Sequence, residues 1–132
     1  MSERFEPVSP VLDTIARRVV DCAIKVHRAL GPGLLESVYE VCLCHEMNNS
    51  GLRFKRQFEW PIVYDGTRLD AGLRLDFLVE DELVVELKAV EKLTPLFDAQ
   101  LLTYLKLTGK RLGLLINFNV PLLKDGIKRL VL

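Results

Sequence analysis

Three residues in the middle of the chain have side chains suited to handling charge: Asp76, Glu86 and Lys88. Side chains alternate along a strand, so Glu86 and Lys88 share one face while Val85 and Leu87 take the other. A turn over Glu80-Asp81-Glu82 folds this segment back, and a hairpin symmetric about Asp81 sets Asp76 directly opposite Glu86. Their Cβ atoms would then lie about 4.5–5.5 Å apart. Two facing carboxylates repel, and a divalent cation relieves the conflict. Carboxylate oxygens, waters and a phosphate oxygen are the hard ligands that octahedral Mg²⁺ takes. Lys88 beside them is placed to orient or help deprotonate a water and to offset charge on phosphate. Metal-assisted hydrolysis of a phosphate ester is the chemistry this trio could perform. A solvated hairpin face carrying a Glu–Lys pair has the same spacing, so the surrounding residues matter.

Gln100 and Tyr104 stand four apart in a segment with helical apolar spacing and therefore share a helix face. An amide and a phenol offer uncharged hydrogen bonds, and the ring offers a stacking surface, both suited to a nucleic-acid strand. Gly33, Glu36 and Tyr39 follow a tight Gly31-Pro32-Gly33 turn, with Glu36 on the border of an apolar stripe. A carboxylate on such a border is ordinarily a cap or an ion-pair partner. His27 lies close to the stripe of the preceding helix, where a histidine is more often a packing residue than a ligand. His45 reads as a surface residue. Cys22, Cys42 and Cys44 are odd in number and form no CxxC pair, so they read as small buried hydrophobes rather than a disulfide framework or zinc site.

The elements that must position these groups follow from periodicity. Ser9-Pro10 opens a helix whose stripe is Leu12, Ile15, Val19, Cys22/Ala23, Val26 and Leu30. The Gly31-Pro32-Gly33 turn breaks it. A second helix is expected from Leu34 to Asn49, with Leu35, Val38/Tyr39, Cys42/Leu43 and Met47 inward. The period then changes to two. Phe54, Arg56 and Phe58 alternate with Lys55, Gln57 and Glu59, and the strand runs on to a turn at Asp65-Gly66. Leu69, Ala71, Leu73, Leu75, Phe77 and Val79 are expected on one face of the next strand, and a third strand is expected over residues 83–90. Thr94-Pro95 starts a helix that ends near Thr108-Gly109. Residues 112–118 and 127–132 read as two last strands. The order α-α-β-β-β-α-β-β predicts an α/β (mixed α+β) fold with a central mixed sheet flanked by helices.

The 132 residues suit one domain over 1–132, with 1–10 expected to be a flexible N-terminus. Hydrophobic residues make up 49% and charged residues 27%, a globular rather than a disordered balance. Eighteen basic against eighteen acidic side chains exclude a generic polycation, so any phosphate contact must come from a local patch. Residues 76–91 carry six acidic side chains against Lys88 alone, and residues 101–132 carry six basic ones against Asp125. Arg53, Lys55 and Arg56 add to the basic side. An acidic pocket bordered by a basic strip is a sensible plan for cutting a polyanion. No secretory h-region or charge-free membrane span is present in the sequence, which sets a cytoplasmic location and no membrane partner as the expectation.

Gly33-Leu34-Leu35-Glu36-Ser37-Val38-Tyr39 resembles the motif that names the GxxExxY protein family. The resemblance extends through Asp76, Glu86-Leu87-Lys88 and Gln100-Leu101-Leu102-Thr103-Tyr104 to residues 113–118, and covers roughly residues 12–132. That family is placed in the PD-(D/E)xK nuclease-like superfamily, with a restriction-endonuclease-like core. The Gln-x-x-x-Tyr helix is similar to that of the RecB-like branch, which includes the RecB nuclease domain and lambda exonuclease. The resemblance implies Mg²⁺ or Mn²⁺ held by Glu36, Asp76, Glu86 and the Leu87 carbonyl, with His27 as a further ligand. It implies Asp76, Glu86 and Lys88 as catalytic and Gln100 and Tyr104 as substrate-binding. The implied partner is nucleic acid, DNA above all, and a homodimer is compatible with it. Leu75 replaces the superfamily's proline, and Phe97 stands where the family often carries histidine. The second departure makes a nuclease-fold module for nucleic-acid binding or protein assembly, without turnover, the rival expectation. Hydrolysis of another phosphate-containing substrate is a third.

Overall fold

The computed structural model describes residues 7–132. The expected flexible N-terminus therefore falls outside the described residues over 1–6, while Ser9 caps the first helix and Pro10 begins it. Helix α1 (Pro10–Leu30) begins with the Ser9 hydroxyl accepting the Leu12 amide at 3.1 Å, and proline takes the position that needs no donor. Its buried stripe runs Leu12, Ile15, Ala16, Val19, Cys22, Ala23, Val26 and His27, while Leu30, expected inward, is exposed. Helix α2 (Glu36–Asn49) starts two residues later than expected. It buries Tyr39, Glu40, Leu43 and Met47 and leaves Leu35 and Val38 exposed. All three cysteines are free thiols, Cys22 buried and the other two half-buried. Among the described residues no helix is long and apolar enough to cross a membrane.

The five strands are β1 (Phe54–Tyr64), β2 (Thr67–Val79), β3 (Leu83–Lys88), β4 (Leu112–Asn117) and β5 (Ile127–Val131). Helix α3 (Pro95–Thr108) connects β3 to β4, and a 3₁₀ turn at Leu123–Gly126, not expected from the sequence, precedes β5. The strands form one sheet in the order β1-β2-β3-β4-β5, with β3 and β4 parallel and the other pairs antiparallel. The parallel pair joined through α3 is a βαβ unit, which needs a crossover of this length. The mixed sheet and its flanking helices are the architecture expected.

Two apolar layers cover the sheet. On one face Phe77, Val79, Val85, Leu87, Leu114 and Ile116 pack against α1 and α2. On the other, Leu73, Leu75, Leu78, Val84 and Leu115 pack against Leu101 and Leu105 of α3. Gly113 lets α3 come this close, because a Cβ there would lie 2.9 Å from Leu101 Cδ1.

The expected alternation fails in one place. Leu75 and Phe77 would share a face of a regular strand, yet they belong to opposite layers. Phe54 and Phe58 of β1 change sides in the same way. Pairing keeps the same register on either side, Arg56 with Phe77 and Phe58 with Leu75, and skips Gln57 and Asp76. Gln57 has φ 50°. Both strands therefore break their pairing at one level without shifting register, and β2 turns its faces over at Asp76; the register shift of this hairpin lies further out, between Pro61 and Val63. Beyond Leu73 the hairpin runs past the sheet, so Leu69 and Ala71, expected inward, are exposed.

Candidate active site

The hairpin turn positions the acidic pair. Glu80 and Asp81 adopt left-handed φ values of 51° and 58°, and the ladder places Phe77 opposite Val85. One step further Asp76 and Glu86 come together as expected from the register, and here regular pairing stops. Side chains replace it: the Asp76 amide donates to Glu86 Oε2 at 2.7 Å, and the Leu87 amide donates to Asp76 Oδ2 at 2.8 Å. At Asp76 the ladder is open, and each carboxylate accepts a backbone amide in place of a carbonyl.

This cross-bonding holds two acids side by side with little water. Burial and the neighbouring Asp76 push the Glu86 carboxyl up to about 8, against the lowering effect of the Asp76 amide and Lys88. Burial raises Asp76 as well, while the Leu87 amide, Lys88 and Gln57 oppose the rise. In the ligand-free chain at neutral pH the pair therefore retains a proton that a cation would displace.

Glu36 enters from the first turn of α2. Partial burial and the charge of Asp76 raise its carboxyl, and Lys88 lowers it, which places Glu36 within electrostatic reach of both. The Gly33, Glu36 and Tyr39 spacing has a physical basis. Tyr39 is fully buried and stacks on Phe118, with ring centroids 4.5 Å apart and planes 8° from parallel. Its hydroxyl donates to the Gly31 carbonyl at 2.7 Å and accepts the Leu34 amide at 3.1 Å. Gly33, at φ 98°, allows that turn. Phe118 in turn donates its amide to the Lys88 carbonyl at 3.0 Å, so one chain of contacts fixes Glu36 relative to the end of β3. Replacing Tyr39 by phenylalanine should cost about 1–2 kcal/mol, since two backbone groups lose their partner. Urea denaturation checks this, and an unchanged midpoint would mean that the hydroxyl does not hold the turn.

Tyr104 lies on the same side of the sheet as Glu86. Burial, then Glu86 and Asp76, raise its phenol, so the hydroxyl lies within electrostatic reach of the acidic pair. Gln100 is exposed one helical turn earlier. His27 donates its Nε2 hydrogen to the Val120 carbonyl at 2.8 Å, and its ring lies beside Phe118. It makes no hydrogen bond or ion pair to Asp76, Glu86 or Lys88 among the described residues. Its buried position on α1 is that of a packing residue.

Sequence reasoning missed Glu40 and Gln57. Glu40 is buried, four residues after Glu36 on the same helix face, and its charge raises both Glu36 and Asp76. Arg56 holds it through Nε at 2.8 Å and a terminal nitrogen at 2.7 Å. The Gln57 amide bonds Glu40 and reaches Asp76 Oδ1 at 3.5 Å. The i, i+4 spacing of two glutamates was the available signal for Glu40. Nothing in the local sequence marks Gln57.

The carboxylate oxygens gathered here are the hard ligands that divalent cations take. Among the described residues no three His, Cys, Asp or Glu side chains converge tightly enough to form a complete metal cage. Mg²⁺ does not require one, because it is commonly held by one or two carboxylates together with water and substrate phosphate. A cavity of about 680 Å³ lies on the outer β1–β2 arm beside Trp60, Arg68 and Arg74, away from these acids. Its ionisable side chains, Glu59, Arg68, Asp70 and Arg74, are all exposed, and Arg74 pairs with Glu59 at 3.4 Å, whereas Glu86 is buried beside Asp76, so the chemistry points to the acidic pair.

Neither the curated proteins nor the solved structures include a match to the chain. The family model of the PD-(D/E)XK nuclease superfamily matches residues 13–130, from the first turn of α1 to the end of β5. The matched span includes the strand with Asp76, the Glu86-Leu87-Lys88 strand and the helix that follows. The chain belongs to the PD-(D/E)XK nuclease superfamily.

Proposed function

We propose that this chain is a Mg²⁺- or Mn²⁺-dependent nuclease that hydrolyses phosphodiester bonds of DNA. The observation that carries the reading is the cross-bonded pair of Asp76 and Glu86 with Lys88 two residues along the same strand. Asp76 and Glu86, with Glu36 and the Leu87 carbonyl, would hold the cation. When bound, the cation polarises a phosphate oxygen and lowers the pKa of a water at the site. The remaining work falls to side chains. Lys88 orients the attacking water and offsets the charge that develops on the phosphate oxygens. Tyr104 and Gln100 hold the strand from α3, the ring by stacking and the amide by hydrogen bonding. Glu40, Arg56 and Gln57 brace Asp76 from behind. The finer placement in the GxxExxY family and its RecB-like branch, and the choice of DNA, rest on the sequence resemblance.

The test is incubation of the purified chain with Mg²⁺ or Mn²⁺ and end-labelled single- and double-stranded DNA, with a small phosphodiester in parallel. DNA cleavage that disappears in chelator is the expected result. Preference for the small diester would redirect the reading to another phosphate substrate. Binding of DNA without cleavage would favour a non-catalytic module.

Tyr104→Ala should weaken DNA binding by about 1–3 kcal/mol, the range for one lost base–aromatic stack. Fluorescence anisotropy with Ca²⁺ in place of Mg²⁺ reads this directly. Equal affinity of parent and variant would remove Tyr104 from the substrate contact.

A further inference from the structure

Lys88 is half-buried at the end of β3, and its charge is felt by Glu36, Asp76 and Glu86. Even so, its ammonium makes no ion pair or hydrogen bond among the described residues. It lies over the Phe97 ring instead, with Nζ 4.9 Å from the ring centroid. That distance is within the range in which a ring's negative face attracts a cation.

Both partners stand on fixed backbone. Lys88 is paired with Asn117 in the parallel ladder, and its carbonyl accepts the Phe118 amide. The segment after β3 is pinned where the Asn117 side chain accepts the Val90 amide at 3.1 Å and donates to its carbonyl at 2.9 Å. Phe97 follows in the first turn of α3, with its amide bonded to the Thr94 carbonyl at 3.0 Å and its ring packed into the α3 layer.

We propose that Phe97 is a positioning residue for Lys88, holding the ammonium on its ring face and away from the Asp76–Glu86 pair. The proposal rests on the nuclease reading of the same site. A lysine has a flexible four-carbon stem and a compact charge, and beside an acidic pair that carries negative charge it is drawn toward an ion pair. Such a pair would neutralise the acids needed for the cation and remove the charge needed at the phosphate. An aromatic face attracts the ammonium without offering it an acceptor, so the charge stays available when substrate arrives.

The experiment has two readouts on the full chain. The first is the chemical shift of the Lys88 ε-methylene protons in the ligand-free protein, identified as the lysine resonance missing from Lys88→Ala. Ring contact shifts these protons upfield, and Phe97→Leu should return them to the unperturbed position while Phe97→Tyr should not. The second is Mg²⁺-dependent cleavage. Phe97→Leu should lower kcat by about 3- to 30-fold with DNA affinity in Ca²⁺ unchanged, and Phe97→Tyr or Phe97→Trp should recover most of the rate. An unshifted Lys88 resonance in the parent overturns the contact. A shifted resonance with full activity in Phe97→Leu overturns the positioning role. If the parent itself does not cleave, the nuclease reading fails and the role fails with it, whatever the resonance shows.

Discussion

Replacing Lys88 by alanine should lower Mg²⁺-dependent cleavage by at least about 10²-fold, the usual cost of a lost positioned acid, base or charge stabiliser. DNA affinity measured in Ca²⁺ should change little. The division follows from placement. Lys88 shares a strand face with Glu86, so its ammonium would be within reach of a phosphate held at the acidic pair, whereas Tyr104 and Gln100 would meet the nucleic acid from α3. An interaction that matters only as charge develops in the transition state lowers kcat without weakening binding. If Lys88→Ala cleaves as fast as the parent, the mechanism is wrong.

The second large effect concerns the acidic pair and has a definite pH dependence. Glu86 titrates near 8 in the folded chain and near its ordinary 4.5 when unfolded. Between those values the folded state binds a proton that the unfolded state has lost. Stability contributed at this site is therefore present at acid pH and is lost as pH rises toward 8, by about 1.4 kcal/mol for each pH unit. Glu86→Gln keeps an acceptor for the Asp76 amide and removes the titration. The metal-free variant should then melt higher than the parent at pH 8, and the gap should close toward pH 5. Mg²⁺ should stabilise the parent, by about 2.7 kcal/mol at a hundred times its dissociation constant, and should leave Glu86→Gln and Asp76→Asn unmoved. Thermal melts across pH, with and without Mg²⁺, measure all of this. Equal Mg²⁺ stabilisation of parent and variants would put the cation elsewhere.

The central hairpin was legible in the sequence because strand parity and an acidic turn at Glu80-Asp81 leave little freedom in register. The same parity rule misled one step away. Pairing is interrupted at Gln57 and Asp76 and the faces turn over there, and Gln57, at φ 50°, is not the glycine that would announce a left-handed backbone. Leu69 and Ala71 alternate as an inward strand should, but the arm that carries them extends past the helices. Helix α2 lost part of its expected stripe because Tyr39 fills the space against Phe118, which leaves Leu35 and Val38 outside. The Gly33, Glu36 and Tyr39 spacing marked a unit without revealing its mechanism, since the hydroxyl bond back to Gly31 exists only in the folded turn. Glu40 stands out only in the fold, where Arg56 and Gln57 of β1 are brought to it. Phe97 read from sequence as a departure that counted against turnover. In the fold its ring lies under the Lys88 ammonium.

The measurement that bears most directly on the account is cleavage of end-labelled DNA across a Mg²⁺ titration, comparing the parent with Glu86→Gln shown by circular dichroism to be folded. Cleavage should rise with Mg²⁺ in the parent, vanish in chelator, and fall at least about 10²-fold in the variant. Cleavage by the parent in chelator, or equal Mg²⁺-dependent rates in the two proteins, would contradict the mechanism.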